Sequence, residues 1–554
     1  MLRYINIFFG TLAIVIGFSC ASPGSLSGGP RDETPPVPVS FSPENFSTHF
    51  NARTIVVRFD ENIRLRNLNQ QLIISPPMAR PQITSNNRTL TIRLQDTLRE
   101  NSTYVFSFGD AVVDMNEGNI LPNFQLVFST GETIDSLSIA GEVLDAFTLE
   151  PMRNVALVLL SDLDSIGSRT DRPIYVTKTG DDGFFQFNFL KEGCFYLAAI
   201  NDRNNDWTYD SLQEEVAFLK TCVSPRFLEK PTFPDDVSAE DSLQIAESIK
   251  QFFLEGYQLL MFRQELPQGI ARSEFLSNAE LTVEFRNPTD SAEFRILQPD
   301  TDTILLDFYV NWDRNKQKAN IFLSKLGIRN LWLHVEDGDF SDTLRLLNTR
   351  FEAPPAALRA TLSAGQELPF FDSLKLSFTA PIREVKDTFW LYIGEDTIAT
   401  PLTDFSLNST RTQLIFDTLP HRTNFRLVVP DSSFFDYFGQ TNEDTLTMRF
   451  RTNSPETYAR LEVILPNKPE GSLILQVLNE RMDLVEQRIM ESNKEIFPTL
   501  RPGRYRLRLI VDENKNGRWD PGNVRERRQP EPVFVLPKVL SLEAGWEYIE
   551  EWEL

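Results

Sequence analysis

The sequence has few of the residues on which most enzyme sites depend. Its 554 residues include only three histidines and three cysteines. His49, His334 and His421 lie far apart in the sequence, so histidine-centred acid–base and zinc chemistry has little material here. No Gly-x-Ser-x-Gly elbow, HExxH motif or glycine-rich phosphate loop is present. The sequence therefore predicts a protein that is not an enzyme, and a hydrolase with accessory domains is the weakest of three function classes.

Positive charge is also scarce. There are 55 Lys and Arg residues against 78 Asp and Glu residues, which gives a formal net charge of -23. Nucleic-acid binding depends on cationic side chains that neutralise phosphates, so no nucleic-acid partner is expected. The same charge disfavours adsorption to an anionic membrane surface.

Long apolar runs are missing as well. The apolar run of residues 5–16 is shorter than the roughly twenty residues of a membrane-spanning helix. The small residues Gly17 and Ser19 follow it and precede Cys20. This pattern predicts a secretory signal peptide at residues 1–19.

A cysteine directly after the leader resembles the arrangement in bacterial lipoproteins, whose leader is cut before a cysteine that then carries acyl chains such as palmitate. The resemblance implies lipidation at Cys20; a secreted protein with a chance cysteine is the alternative. Residues 20–34 form a small-residue tether that resembles the opening of Ig-like-domain lipoproteins of the Bacteroidetes type. This implies an outer-membrane protein held by its lipid anchor. The acidic run that sends some of these lipoproteins to the surface is absent, so the periplasmic and surface faces both stay open.

After the tether, short runs rich in β-forming residues are bounded by Asn, Asp, Gly and Pro, which is typical of a β-sandwich. The first set is Ile55–Phe59, Leu90–Leu94, Tyr104–Phe108 and Phe124–Phe128. The layout returns in Leu374–Phe378, Gln413–Phe416, Phe425–Val429 and Thr447–Phe450. The sequence therefore indicates a duplicated module.

The first copy, with the segments Phe59–Ile63 and Ala111–Gly118, resembles the bacterial Ig-like domain of surface-layer proteins. The second copy lacks the acidic pair Asp60 and Glu61, so a site built on that pair would be confined to the first copy. Each copy is followed by runs that resemble the prealbumin-like sandwich of carboxypeptidase regulatory-like domains. These runs include Ile139–Val143, Val155–Leu159, Leu461–Leu465 and Leu473–Val477.

Between the copies, the apolar stripe of Ser242–Phe262 predicts one helix docked on its neighbour. Alternation resumes over residues 281–347 and indicates a third sandwich, interpreted as a degenerate Ig-like copy. The predicted fold class is mainly β, with tandem Ig-like and prealbumin-like β-sandwiches in an elongated array. The predicted boundaries are signal peptide 1–19, tether 20–34, Ig-like 35–134, prealbumin-like 135–225, linker and short helix 226–262, sandwich 263–353, Ig-like 354–453 and prealbumin-like 454–554.

Two loops carry oxygen side chains at positions 1, 3, 5 and 9, a spacing that suits calcium. Position 6 is Gly517 in the second loop but Trp207 in the first, and neither loop has the Glu at position 12 that closes an EF-hand loop. A hairpin turn is the alternative, and weak calcium binding is expected. The predicted ligands are Asp202, Asn204, Asp206, Thr208 and Asp210 in the first loop and Asp512, Asn514, Asn516, Arg518 (through its carbonyl) and Asp520 in the second.

Cys194 and Cys222 lie in one module of an exported protein, where thiols oxidise, so a disulfide is favoured over two buried free thiols. A further regularity is Asp followed by Ser or Thr and then by a small or aliphatic residue, which resembles the O-glycosylation sequon of exported Bacteroidetes proteins. The alternative is structural, since the same dipeptide opens strands and caps turns. The candidate residues are Thr97, Ser136, Ser165, Ser211, Ser242, Ser291, Thr303, Thr343, Ser373, Thr397, Thr418 and Thr445.

Two functions remain after these exclusions. The first is a structural or scaffold subunit of an outer-membrane protein assembly, with a protein partner in the cell envelope. The second is a surface adhesin or glycan-binding lipoprotein. Apart from calcium, no cofactor is expected.

Overall fold

Nearly all of the regular structure in the computed structural model is β-strand, so the predicted fold class is confirmed. The structure describes residues 32–167, 171–210, 212–227, 256–298, 301–304, 307–313, 315–386, 388–394 and 398–554, without the side chains of 298 and 301–304. Within these residues, no helix is long and apolar enough to cross a membrane. The predicted signal peptide, Cys20 and residues 21–31 lie outside the described residues.

The first Ig-like copy is a sandwich whose core is lined with aromatic side chains. Its strands form a four-stranded sheet in the order β1-β2-β6-β5, a three-stranded sheet β4-β7-β9 and the pair β3-β8. Phe128 stacks on Phe50 in this core, with ring centroids 3.9 Å apart. The elements are β1 Pro38–Ser42, β2 Thr54–Phe59, β3 Ile63–Leu65, α1 Leu68–Gln71, β4 Ile73–Ser75, β5 Gln82–Asn86, β6 Thr89–Arg93, β7 Thr103–Ser107, β8 Val112–Asp114 and β9 Gln125–Ser129.

The module that was predicted to be prealbumin-like follows directly. Strand β10 pairs with β13, and β11 lies between β12 and β14. The alternating buried residues of β13 and the fully buried β11 form its interior. Its strands are β10 Leu137–Asp145, β11 Ala156–Leu160, β12 Tyr175–Lys178, β13 Phe184–Leu190, β14 Tyr196–Ile200 and β15 Glu215–Phe218.

Residues 257–263 correct one prediction, because they form a strand and not the end of a helix. Leu259 and Met261 are both buried, which is the two-residue period of a strand. Phe262 lies opposite Val216 where this strand pairs with β15. The β-forming side chains and this partner strand outweigh the helical stripe. The rest of the predicted helix lies outside the described residues.

The middle block is a third sandwich, with two four-stranded sheets in the orders β17-β18-β22-β21 and β20-β19-β23-β24. Its core holds Leu281, Val283, Leu333 and Val335. Its strands are β17 Ile270–Phe275, β18 Glu280–Phe285, β19 Glu293–Gln298, β20 Thr301–Ile304, β21 Phe308–Trp312, β22 Lys318–Leu323, β23 Asn330–Asp337 and β24 Phe340–Leu347. Strand β16, Tyr257–Arg263, precedes them and pairs with β15 instead.

The second Ig-like copy repeats the strand order of the first and adds two strands, β26 and β30, at the edges of one sheet. Its four-stranded sheet has the order β25-β27-β32-β31, its pair is β28-β34, and its other sheet has the order β26-β35-β33-β29-β30. The stacked rings of Phe425 and Phe450 match those of Tyr104 and Phe128 in the first copy. The strands are β25 Ala360–Leu362, β26 Glu367–Leu368, β27 Lys375–Phe378, β28 Ile382–Val385, β29 Phe389–Ile393, β30 Ala399–Leu402, β31 Phe405–Leu407, β32 Gln413–Phe416, β33 Asn424–Val429, β34 Phe434–Asp436 and β35 Leu446–Thr452.

The C-terminal module has sheets in the orders β39-β36-β43 and β38-β37-β40-β41, with β42 also paired to β40. Its core includes Leu461, Leu475, Phe497 and Leu509. The strands are β36 Ala459–Ile464, β37 Ser472–Asn479, β38 Leu484–Ile489, β39 Lys494–Leu500, β40 Gly503–Asp512, β41 Val533–Val535, β42 Leu540–Leu542 and β43 Glu547–Glu551.

The chain divides into two compact units. One comprises Met1–Val143, Arg153–Thr208 and Phe218–Leu259, and the other comprises Leu144–Met152, Tyr209–Ala217 and Leu260–Leu554.

Candidate functional site

The two predicted calcium loops have the same local conformation. In the second loop, the Asp512 carboxylate accepts the backbone N–H groups of positions 5 and 6, at 3.0 and 2.9 Å. In the first loop, Asp202 does the same at 3.4 and 2.8 Å. Position 6 has a positive φ in both loops, 78° at Gly517 and 63° at Trp207. Trp207 therefore adopts a backbone conformation that usually favours glycine, and the two loops are one repeated motif.

A buried glutamate outside each loop accepts the N–H of position 9. The backbone N–H of Asp520 donates to the Glu531 carboxylate at 2.9 Å, and the backbone N–H of Asp210 donates to the Glu214 carboxylate at 3.3 Å. Burial raises the pKa of Glu531, and the negative charges of Asp520 and Asp512 act in the same direction. The glutamate that accompanies each loop therefore lies outside the loop and not at position 12.

The predicted ligand side chains of the second loop form hydrogen bonds with one another. Asp520 accepts hydrogen bonds from the side-chain amides of Asn514 and Asn516, at 2.5 and 2.6 Å. A cation between these groups would require both amides to turn, so that their oxygens and not their N–H groups face it. Within the described residues, no group of three or more His, Cys, Asp or Glu side chains is arranged to hold a metal.

The first Ig-like copy has an acidic cluster around Asp114, which is fully buried. Asp60 accepts the N–H of Val37 at 2.8 Å. Burial raises the pKa of Glu61, with further contributions from the charges of Asp114 and Asp60. Asp114 itself accepts the backbone N–H groups of residues 116, 117, 118 and 119. These hydrogen bonds make Asp114 the organiser of the turn after β8.

The second copy has a counterpart of this aspartate, which the sequence analysis did not identify. Asp436 lies opposite Ile382, as Asp114 lies opposite Ile63. Burial raises the pKa of Asp436, and its hydrogen bonds to the turn only partly oppose this. For Asp114, burial also acts to raise the pKa, but the four backbone hydrogen bonds outweigh it and the pKa is lowered.

We therefore expect Asp114→Asn to lower the free energy of unfolding of the first Ig-like domain by about 1.5–3 kcal/mol at neutral pH, the range for hydrogen bonds to charged groups. Because the folded-state pKa is lowered, this stabilisation is present above the ordinary pKa of Asp and is lost as the pH falls through the folded-state pKa. Native-state hydrogen exchange of the β3 and β8 amides in the full chain measures it. Asp436→Asn is the control, since its raised pKa gives no stabilisation that acid removes. An equal loss for Asp114→Asn in acid would contradict the account.

A groove of about 880 Å³ lies beside the C-terminal module. Its lining includes residues of β38 and β39, each of which is the edge strand of its sheet. Phe371 and Val485 expose 51% and 41% of their surface there, while Tyr505 is buried in the wall. The groove therefore combines apolar side chains with the unpaired backbone edge of a strand.

The structure joins Cys194 and Cys222 in a disulfide, with Cα atoms 5.5 Å apart. The neighbouring residues Phe195 and Val223 exchange two backbone hydrogen bonds, of 2.9 and 2.7 Å. This short antiparallel bridge brings the two cysteines side by side.

The candidate glycosylation residues differ in exposure. Thr97, Ser136, Ser291, Thr343, Thr418 and Thr445 are exposed, and Ser373 is half-buried. Ser165 is buried in a short 3-10 turn, so it is not accessible for modification. The backbone N–H groups of Thr97, Thr343 and Ser373 each donate to the carboxylate of the preceding Asp, as expected for a role in a turn. Ser211, Ser242 and Thr397 lie outside the described residues, as does the side chain of Thr303.

A family model described as "Bacterial Ig-like domain" matches residues 32–130, which hold the first sandwich. No curated protein matches the sequence. Among solved structures, the chain is similar to the N-terminal part of the bacterial S-layer protein SbsC, with 12% identity over 39% of this chain and 49% of that one and a TM-score of 0.14. The chain thus spans about half of that structure's length.

Two further solved structures are similar over more of the chain. The Bacillus anthracis TIE protein has 11% identity over 96% of this chain and 75% of that one, with a TM-score of 0.15. The N-terminal four Ig domains of Dscam1 have 8% identity over 75% of this chain and 100% of that one, with a TM-score of 0.15.

Proposed function

We propose that the chain is a non-enzymatic structural subunit of an outer-membrane protein assembly, held to the membrane by acyl chains on Cys20. The leader, the cysteine that follows it and the bacterial Ig-like domain at residues 32–130 support a place in the cell envelope. The sandwich fold itself serves many functions. Because nothing in the sequence motifs indicates catalysis, the repeated sandwiches support a structural role.

The observation that carries the scaffold role is the groove beside β38. This strand is the edge of its sheet and exposes Leu484, Val485 and Ile489. An exposed edge strand with apolar side chains is a ready template for another chain. A segment of a partner protein would add to β38 as an extra strand, with backbone hydrogen bonds for affinity and the groove for its side chains.

The test is site-specific photo-crosslinking in cells. A photoreactive amino acid at Val485 is expected to give one adduct of defined mass, whereas the same amino acid at Thr418, an exposed residue after β32, is expected to give none. Equal adducts from both positions, or no adduct from Val485, would count against this docking edge.

We further propose that the loop Asp512–Asp520 takes calcium as a structural clip. The support is the recurrence of one loop conformation, with a buried glutamate, in two modules. Because calcium would bind only the folded loop, the free energy of unfolding should rise with the logarithm of the free calcium concentration. The gain is about 2.7 kcal/mol when that concentration is one hundred times the dissociation constant.

One unfolding transition of the full chain should therefore have a higher midpoint temperature in millimolar calcium than in chelator. Differential scanning calorimetry measures the shift. Asp512→Asn/Asp520→Asn is expected to abolish it, and Asp181→Asn/Asp182→Asn, in another turn, is the control that keeps it. A wild-type midpoint that does not move, or an equal shift in the loop variant, would leave the loop a plain turn.

A further inference from the structure

The outward face of one sheet in the second Ig-like copy carries an unusual set of side chains. This is the sheet with the order β26-β35-β33-β29-β30. Leu391, Leu427 and Phe450 of its central strands point into the core. Because side chains alternate along a strand, the residues between them face outward.

These outward residues line up in rows set by the strand register. Tyr392 lies opposite Arg426, and Arg426 lies opposite Arg449. Neighbouring strands are about 4.8 Å apart, so this row spans about 10 Å. The Arg426 guanidinium carbon lies 4.1 Å from the centre of the Tyr392 ring. In the next row, Trp390 is 37% exposed.

Positive charge dominates this face. Arg451 adds a third outward arginine beside the Arg426–Arg449 row, opposite Asn424 on β33 and Glu367 on β26. In the part of the chain that the structure describes, Arg426, Arg449 and Arg451 form no ion pair. In a chain of net charge -23, three such arginines on one sheet face are a local reversal of charge.

The first Ig-like copy is an internal control for this observation. The register places Val105, Val127 and Ser129 where the second copy has Arg426, Arg449 and Arg451. There the face is covered, since the N–H of Val176 on β12 donates to Ser75 at 3.1 Å. Val127 and Ser129 are buried, whereas the arginines at two of these positions, 449 and 451, are exposed.

We propose that this outward face of β35, β33 and β29 binds an acidic polysaccharide. Guanidinium groups form bidentate, charge-assisted hydrogen bonds with carboxylates and with phosphate or sulfate groups. The exposed Trp390 ring offers a flat apolar surface with one polar N–H, which suits the C–H face and hydroxyls of a sugar ring. Charged groups and a stacking ring on one flat face fit a chain of anionic sugars.

The arrangement favours a glycan over an acidic polypeptide. Strands β29 and β33 have a partner on both sides, so their backbone groups are already paired and this face presents side chains. Strand β35 pairs with β33 along its length and with the two residues of β26 at its end. An extended peptide gains most of its affinity from backbone hydrogen bonds, which the free edge of β30 offers and this face does not.

The experiment measures binding of the full chain to polygalacturonate, neutral dextran and poly-L-glutamate by biolayer interferometry at low and high salt. The wild type is expected to bind polygalacturonate, more weakly at high salt, and not dextran. Arg426→Gln/Arg449→Gln should weaken that binding at least about tenfold for each arginine removed. Trp390→Ala should weaken it as well.

Two controls keep the proposal open to contradiction. Arg58→Gln/Arg93→Gln removes two exposed strand arginines from the first copy and should leave binding unchanged. Arg449→Lys keeps the charge but loses the bidentate fork, so it should bind between the wild type and the double variant. Absence of binding to polygalacturonate, equal binding by the Arg426→Gln/Arg449→Gln variant, or equally tight binding of poly-L-glutamate would overturn the proposal. Because it does not depend on the anchor or on the β38 groove, its failure would leave the scaffold role untouched.

Discussion

Replacing Cys20 with serine is expected to move the protein from the membrane fraction to the soluble fraction. Acyl chains on this cysteine would be the only long hydrophobic attachment that the sequence offers. One acyl chain gives only marginal membrane binding and two give stable anchoring, so loss of the modified cysteine should be nearly all-or-none. Fractionation of cells, with immunoblotting of the two fractions, measures it.

Ser22→Ala is the matched control, since it changes the tether two residues away and leaves the cysteine in place. It should stay with the outer membrane. If Cys20→Ser also sediments with the outer membrane in cells that lack any retained partner, lipid anchoring is not what holds the protein.

The disulfide should give the largest effect on stability. On the chain-entropy treatment, a cross-link over a sequence separation of 28 residues is worth about 3.5 kcal/mol. Cys194→Ser/Cys222→Ser should therefore lower the free energy of unfolding of its module by about that amount. Native-state hydrogen exchange of β14 in the full chain measures it.

Wild-type protein treated with a reductant is the control, and its β14 amides should lose protection to the same extent. The idea is wrong if both thiols can be alkylated, without reductant, in protein taken freshly from cells. It is also wrong if the double variant keeps the wild-type protection of β14.

Much of the fold could be predicted because it depends on local patterns. The alternation in Ile55–Phe59 and its neighbours, and its return in Leu374–Phe378, reflect a strand with one face in a core. The strand at Tyr257–Arg263 is harder to predict from sequence, because its apolar residues fit both the helical period and the strand period. Only its pairing with β15 decides between them.

The candidate sites were predictable only where they are continuous in sequence. The two loops show their oxygen residues at fixed spacing, so sequence finds them. Glu531 reaches the second loop from a separate segment, and its contact with Asp520 depends on tertiary packing. The row of Arg426 and Arg449 depends on strand register, which two separate strands do not reveal in sequence.

The most direct test of the scaffold role is purification of the tagged protein from membranes in mild detergent, followed by native mass spectrometry. We expect a stoichiometric complex with one membrane protein, which Val485→Lys, a charged change on the β38 edge, should weaken while Thr418→Lys should not. A solitary protein, with no membrane protein bound to it, would contradict the account and would favour the surface adhesin instead.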